Sequence, residues 1–552
     1  MDTGEAFRTI VRYHEETKHH PHRYARSPGY LDWASEPNPF RIFEGTVPRR
    51  LPLLDRDPDG NHFSLYDRSK NEVLPFALEN IASFLELSLG LSAWKSSRGS
   101  TWALRMNPSS GNLHPTEAHL ILPPLPAFRG SGGVFHYSPC FHALERRASF
   151  GDLLWKKVRD HFRSDGFLIG LSSIFWRESW KYGERAFRYC NHDEGHAAAC
   201  ISFSASLHGW KAVYLNALSE QDMETLLGFQ KTDWRPFERE HPDLILFVYG
   251  DSGQEVPRDI PDTLLRDFSS LAFEGRPNLL STGHREWPVI DEAASCTEKP
   301  KTSGEGYRYG NPVFYEREIP GQEGARTIRK RRSAQAYDGK TAMPKESFYA
   351  ALDKTMPRNH AAPFDMELGE VSVHLLLFVH RVSGLDPGLY FLVRTGEDTD
   401  GIRAACAAHF FWQKVQGAPD TLPLYLLQRG DFREEAARIS CQQEIAGEGA
   451  FSVGMVARFR PVLEGRPWLY RRLFWETGLI GQVLYLEAEA HGLRGTGIGC
   501  FFDDLVHRLL GLRDDSYQSL YHFTVGGPLE DSRITTFSPY HHLEKKKGGK
   551  SK

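Results

Sequence analysis

Residues 182–229, YGERAFRYCNHDEGHAAACISFSASLHGWKAVYLNALSEQDMETLLGF, and residues 468–512, WLYRRLFWETGLIGQVLYLEAEAHGLRGTGIGCFFDDLVHRLLGL, follow one plan. In each, a long helical pattern ends at a glycine, a short extended piece follows, and a second helix closes on Leu-Gly. Gly195 and Gly478, Gly209 and Gly492, and Gly228 and Gly511 are each 283 residues apart. Three glycine pairs in one register predict a duplicated domain. The echo extends outward: EAHLILPP and VSVHLLLFVH read as matching strands upstream, each followed by a short aromatic segment (VFHYSP, GLYFLV). DLILFVYG and SLYHFTVGG read as matching strands downstream.

At 552 residues the chain is long enough for two domains, each with its own core. Helices mixed with strands predict an α+β class, layered α/β/α, with the two halves packed as an intrachain pseudo-dimer. The expected division is 1–260, a linker over 261–325 rich in Gly, Pro and charge, 326–540, and a basic tail over 541–552. A net charge of −4 gives no global attraction to nucleic acid. Seven scattered cysteines without a CxxC pair argue against a disulfide framework or zinc ribbon. The opening MDTGEAFRTIVRYHEETKHH has no apolar core of signal-peptide length, and the greasiest run, VHLLLFV, is too short to span a bilayer. A cytoplasmic location without membrane contact is the expectation.

Three stretches carry candidate chemistry. In TIRKRRSAQAYDG, residues 327–339, Arg331, Arg332 and Ser333 follow Arg329 and Lys330. Guanidinium groups grip phosphate through charge-assisted hydrogen bonds, and a solvated helix start is the plainer alternative. In MNPSSGNLHPTEAHLIL, residues 106–122, Pro108, Ser109, Ser110, Gly111 and Asn112 form a polar turn directly before a strand. Such a turn offers convergent donors to a ring or sugar edge, or else caps the element that follows. In GLRGTGIGCFFDD, residues 492–504, Gly495, Gly497 and Gly499 permit close backbone approach to a flat ligand, with Asp503 and Asp504 opening a helix; a ligand-free glycine hairpin is the alternative.

Together with HYSPCFHALE, KYGERAFRYC and SLYHFTVGGPLEDSRI, these stretches resemble the nitroreductase-like FMN oxidoreductases, in their SagB-type or azoline dehydrogenase branch. The resemblance runs from YHEETKHH to Tyr540. It implies tandem nitroreductase-like domains with FMN between them. One half supplies the phosphate grip Arg331, Arg332 and Ser333, the turn Ile498, Gly499 and Cys500, and the late Arg533. The other half supplies Pro108, Ser109, Ser110 and Asn112. Gln335 stands where the family usually has a basic residue. The reciprocal parts are missing: the first half reads KAVYLNALSE in place of the glycine turn and has no evident Arg-Arg-Ser, and the second reads PFDMELGEVSVHL in place of the serine turn. One competent FMN site per chain is the expectation.

The resemblance further implies that Lys181 and Tyr182 match a Lys-Tyr pair handling the proton while flavin takes hydride. Arg177 and Arg185 are near in sequence, and positive neighbours lower a lysine pKa. An exposed lysine before a helix, with a packed tyrosine, is the alternative. At offset 283 the other half has Glu464 and Gly465, so one half keeps the pair. The expected substrate is a small molecule or peptide carrying an azoline-like heterocycle, and the chain is expected as a monomer or as a homodimer of pseudo-dimers. Rival readings are an NAD(P)H-dependent nitro- or quinone reductase, a non-catalytic flavin-binding scaffold, and a metal enzyme using His192 and His196 of HDEGH.

Overall fold

The structure is a computed structural model describing residues 2–53, 55–250, 255–310, 312–315, 319 and 321–543. Most of the expected basic tail, 544–552, lies outside the described residues. Two seven-stranded antiparallel sheets dominate. The first runs, edge to edge, Pro48–Arg50, Ala143–Phe150, Ser131–Ser138, Thr116–Leu125, Gly166–Ser173, His241–Gly250, Trp210–Tyr214. The second runs Gln413–Lys414, Leu424–Arg429, Gly388–Leu392, Val373–Val379, Phe451–Arg458, Tyr517–Gly526, Arg494–Ile498. Six of the seven strands correspond in both order and chain sequence. The outer edges differ, because Pro48–Arg50 precedes the other strands of its sheet while Gln413–Lys414 arises inside its own. The architecture is therefore α+β with tandem halves.

The apolar runs that mark the central strands have both faces covered. Leu244, Leu246 and Val248 face the core shared by the two halves, while Ile245, Phe247 and Tyr249 face outer helices of the first half. Val373, Leu375, Leu377 and Val379 likewise face the shared core, and Leu376 and Phe378 face the outer layer of the second half. Period-2 burial on both faces is why these strands read as continuous apolar runs.

The central helices, Ala186–Leu207 and Leu469–Ala490, pack against each other, and their ends keep the 283-residue register. Gly195 and Gly478 meet at the contact: a Cβ on Gly195 would stand 2.2 Å from the Trp475 carbonyl oxygen, and one on Gly478 2.4 Å from that of His192. The other registered glycines are helix ends in the left-handed region, with φ of +69° and +74° at Gly209 and Gly492, and +72° and +78° at Gly228 and Gly511. Side chains also cross the contact. The Trp475 indole N–H donates to Asn191 Oδ1 at 3.0 Å, and His192 Nδ1 lies 2.9 Å from Thr477 Oγ1.

The expected linker contains the helices Asp262–Ser269 and Pro288–Cys296 before an extended stretch. The chain ends are exchanged between halves. Helix Thr3–Glu16 of the first half reaches the second through His14, whose Nδ1 is 3.2 Å from Tyr470 Oη. Thr535–Phe537 of the second half adds a third antiparallel strand to the first-half hairpin Leu91–Ser97 and Ser100–Arg105. Among the described residues, no helix is long and apolar enough to cross a membrane.

Candidate functional site

Between the halves lies a cavity of about 290 Å³. The first half lines it with Pro108, Ser109, Ser110, Gly111, Tyr182, Tyr189, Asp193 and His196; the second with Ser333, Gln443, Tyr485, Tyr521 and the strand end Thr496–Cys500. The two stretches singled out as a serine turn and a glycine turn, nearly four hundred positions apart in the chain, thus meet in one wall.

The serine turn is fixed by backbone and side chain together. Gly111, Asn112 and His114 have φ of +60°, +62° and +55°. The His114 amide donates to Ser109 Oγ at 2.8 Å, and Asn112 Nδ2 donates to the Ala103 carbonyl at 2.9 Å, which turns the Asn112 side chain into its own hairpin. Ser110 donates its amide to both Asp193 oxygens and its hydroxyl to Oδ1, all at 3.0 Å. Lys181 and Tyr182 press on this turn: a Cβ on Gly111 would lie 2.5 Å from Tyr182 Oη and 3.1 Å from Lys181 Nζ. The nearby arginines are engaged elsewhere, Arg177 with Glu117 and Arg185 with Asp503.

Burial sets the protonation states here. Asp193 is raised to about 7 by burial, against the lowering pull of the Ser109 and Ser110 hydrogen bonds. Tyr182 is pushed well above the usual phenol range by burial, then by Glu178, so it stays protonated. Glu178, one turn before Tyr182, is itself raised by burial and by Asp193.

The basic run separates into three roles. Arg329 is neutralised by Asp57 at 2.6 Å and Glu86 at 2.7 Å. Arg331 is buried with its guanidinium carbon 5.1 Å from the Tyr485 ring centre, donates to the Arg105 carbonyl at 3.1 Å, and has an unpartnered Nε. Arg332 donates to the Ser92 carbonyl at 2.7 Å. Neither Arg331 nor Arg332 has a carboxylate in ion-pair contact among the described residues. Burial lowers both, Arg332 to about 10 with the Arg331 charge adding to the effect. Ser333 reaches the cavity, its hydroxyl 2.8 Å from Tyr485 Oη, which also accepts the Gly497 amide at 3.0 Å.

Six candidates stand apart from the cavity lining: Lys181, Asn112, Arg331, Arg332, Gln335 and Arg533. Arg331 and Arg332 lie behind Ser333; Gln335 is exposed. Arg533 is exposed and bonds Asp531, two residues earlier, at 2.8 Å. The glycines at 497 and 499 make room for aromatic walls: a Cβ on Gly497 would stand 1.9 Å from Tyr521 Oη, and one on Gly499 2.2 Å from the Tyr189 ring. Tyr189, Asp193, Tyr485 and Tyr521 were not singled out by sequence. Tyr189, Asp193 and Tyr485 lie on the buried central helices and Tyr521 on the strand Tyr517–Gly526, where period alone reads such positions as core. Among the described residues no group of three or more His, Cys, Asp or Glu is arranged to hold a metal. His192 stacks on Tyr521 at 4.2 Å, and His196 Nε2 is 3.2 Å from Tyr521 Oη.

Residues 464–527, the central helix through the last long strand of the second half, match the nitroreductase family. A protein of Anabaena variabilis assigned as a nitroreductase aligns over 94% of this chain and 99% of its own, with TM-score 0.66 and 22% identity. The fold is nitroreductase-like. Shorter alignments, at 17% and 16% identity, link the chain to two further structures. The Escherichia coli microcin synthetase McbBCD complex covers 46% of this chain and 95% of that one, with TM-score 0.25. The Vibrio harveyi NADPH:FMN oxidoreductase complexed with NAD⁺ covers 41% and 77%, with TM-score 0.23. No curated protein shows significant similarity to the chain.

The two nitroreductase-like halves also create a reciprocal cavity, larger at about 550 Å³ and lined by Arg68, Lys211, Arg258, Arg308, Glu255 and Glu367 among others. Sheet register sets Val213 where the second half has Gly497, since Trp210 pairs with Gly250 as Arg494 pairs with Gly526. The turn before the central strand is Phe364–Met366 in place of Ser110–Asn112. Sequence shows no Arg-Arg-Ser here, yet folding delivers Arg68 to the spot, where it is paired with Asp365; Arg258 pairs with Glu367. Charges in this cavity are thus satisfied by protein, whereas those behind Ser333 are not.

Proposed function

We propose that the chain is an FMN-dependent oxidoreductase with one flavin per chain, acting in the manner of SagB-type dehydrogenases on azoline-like heterocycles in a small molecule or peptide. The observation that carries this reading is the cavity between the halves. It has tyrosine walls and glycines where a flat ring must fit, and two arginines without carboxylate partners behind Ser333, Arg331 buried and Arg332 half-buried. FMN fits these residues: a phosphate is the anion that Arg331 and Arg332 lack, and Ser333 adds a hydroxyl. Bound FMN supplies hydride exchange at its N5.

The chain's own groups position and move protons. The Ser109–Ser110 turn and Tyr189 would bound the ring site, and Gly497 and Gly499 leave the space that Tyr521 and Tyr189 occupy in its wall. Tyr182, protonated across the neutral range, donates from Oη. Lys181 Nζ, beside the same turn, is the group assigned to take the substrate proton. Asp193 holds a proton below about pH 7 and releases it above.

Absorption spectroscopy of the purified chain, with released flavin counted, tests the reading directly. About one FMN per chain is expected; none after incubation with FMN overturns it, and two would overturn the single-site assignment. Arg331→Ala removes a charge-assisted contact of about 1.5–3 kcal/mol, so FMN affinity should fall roughly 10–150-fold. Lys181→Met should retain flavin and lose turnover of a thiazoline peptide by about 10²–10⁴-fold. Rapid bleaching by NADPH with no heterocycle oxidation would favour the nitro- or quinone-reductase reading instead. The rate of flavin reduction should change slope near pH 7 in the native chain, falling above it as Asp193 loses its proton; Asp193→Asn should remove that inflection.

A further inference from the structure

Seven cysteines are scattered along the sequence, and folding brings two of them together. Cys441 and Cys500, 59 residues apart, have their Sγ atoms 2.8 Å from each other. We propose that they are a redox-active dithiol that closes to a disulfide by exchange with a small dialkyl disulfide, Cys500 being the attacking sulfur and Cys441 the resolving one.

The surroundings support this division of roles. Cys500 follows the strand Arg494–Ile498 and lines the cavity between the halves, and both thiols are partly open to solvent. The Cys500 turn is held in place, since its carbonyl accepts from Gln443 Nε2 at 3.0 Å and the Gly499 carbonyl from Arg185 Nη2 at 3.2 Å. Cys441 sits in the turn after helix Arg433–Ile439 with φ of +55°, followed by Gln442 at +61°. His19 Nδ1 accepts the Ala25 amide at 3.0 Å, which leaves Nε2 as the N–H side of the ring, and His19 is a neighbour of Cys500 that favours its thiolate. The Cys441 thiol, then His19 and Arg185, favour the Cys500 thiolate, while Asp503 neutralises part of the Arg185 charge. Tyr24, Tyr182 and Tyr189 are further titratable neighbours of the pair. Cys140, Cys200 and Cys406 are shifted the other way by burial.

In the first step the Cys500 thiolate attacks one sulfur of the disulfide RSSR; the new Cys500–S–S–R bond forms as RS⁻ leaves. In the second the Cys441 thiol gives its proton to that thiolate and attacks Cys500 Sγ, expelling the second RS⁻, which solvent protonates. Two protein sulfurs are oxidised and one small disulfide is reduced to two thiols. An S–S bond is about 2.05 Å long, so closure asks for a sulfur movement of about 0.8 Å. The disulfide would tie the turn after Ile439 to the cavity wall at Cys500.

The test uses the full chain, as purified, equilibrated with mixtures of reduced and oxidised glutathione, quenched in acid, alkylated and mapped by peptide mass. The cross-linked Cys441–Cys500 peptide should rise from absent to predominant across the series, while Cys190, Cys200 and Cys406 become alkylated only after denaturation. Cys441→Ser should stop at a glutathione adduct on Cys500, and Cys500→Ser should form at least tenfold less adduct at Cys441. Both thiols remaining free in oxidised glutathione alone would overturn the proposal, as would Cys441 taking the adduct first. The readout counts sulfur bonds and not flavin, and the series is run on flavin-free and on FMN-incubated chain, so that failure of the exchange in both overturns the dithiol without bearing on the flavin reading.

Discussion

Gly195→Val is expected to destabilise the chain by about 3–5 kcal/mol and to abolish the cavity between the halves. Large single-residue effects come from a short list of causes, and overpacking against groups that cannot yield is one of them. At Gly195 the obstructing atoms are the backbone O, C and Cα of Trp475, at 2.2 to 2.8 Å from an added Cβ. No rotamer change relieves that contact, so the helices Ala186–Leu207 and Leu469–Ala490 must move apart, and the cavity walls ride on them. Gly492→Ala is the matched control. Its φ of +74° costs a side chain about 1–2 kcal/mol, but nothing lies within 4 Å of the added carbon. Urea unfolding midpoints for the two variants decide the matter. If Gly195→Val unfolds within about 1 kcal/mol of the native chain, the close helix contact does not hold the halves together.

The second large effect is expected at Asp503. This buried carboxylate opens the helix Asp503–Leu510, and Arg188 and Arg185 of the other half meet it at 2.6 and 3.0 Å. The His19 amide donates to it at 3.0 Å. Burial alone would raise its pKa; Arg185 and Arg188 overcome that and hold the carboxyl far below the usual range. Asp503→Ala leaves two buried guanidinium groups uncompensated, at a cost of about 3–5 kcal/mol. Because the folded pKa is depressed, the stabilisation is present above the unfolded value near 4 and is lost as pH falls through the folded one. The native chain should therefore lose stability on acidification below about pH 4, and the variant should begin lower at neutral pH with a flatter acid limb. Equal midpoints for both chains at pH 7 would remove the pair from the account of stability. The same substitution frees Arg185 from its anchor, so the carbonyl of Gly499 loses a fixed donor and the cavity wall should loosen.

The duplication was legible because its markers are backbone requirements. A left-handed helix end at Gly209, Gly228, Gly492 or Gly511, and a backbone contact at Gly195 and Gly478, admit almost no other residue, so these positions stand out in a linear string. The doubly buried strands were legible for a similar reason, since covering both faces forces an unbroken apolar run. The Pro108–Asn112 turn could be read as a turn because its conformation is local. Its partner Asp193 could not, being 83 residues from Ser110 on a helix face indistinguishable from core.

What the amino-acid sequence determined by itself is the layered α+β class, the pairing of halves, and the two turns that meet at the cavity. What only the tertiary structure decided is which charges are satisfied. Arg329 is neutralised by carboxylates 272 and 243 residues away, while Arg331 and Arg332 beside it have none; Arg68 in the reciprocal cavity is paired with Asp365 across 297 residues. The nearness of Cys441 to Cys500 belongs to the same class. Backbone geometry is written locally and survives in a sequence, whereas electrostatic pairing depends on distances between segments that are set only when the two halves close on one another.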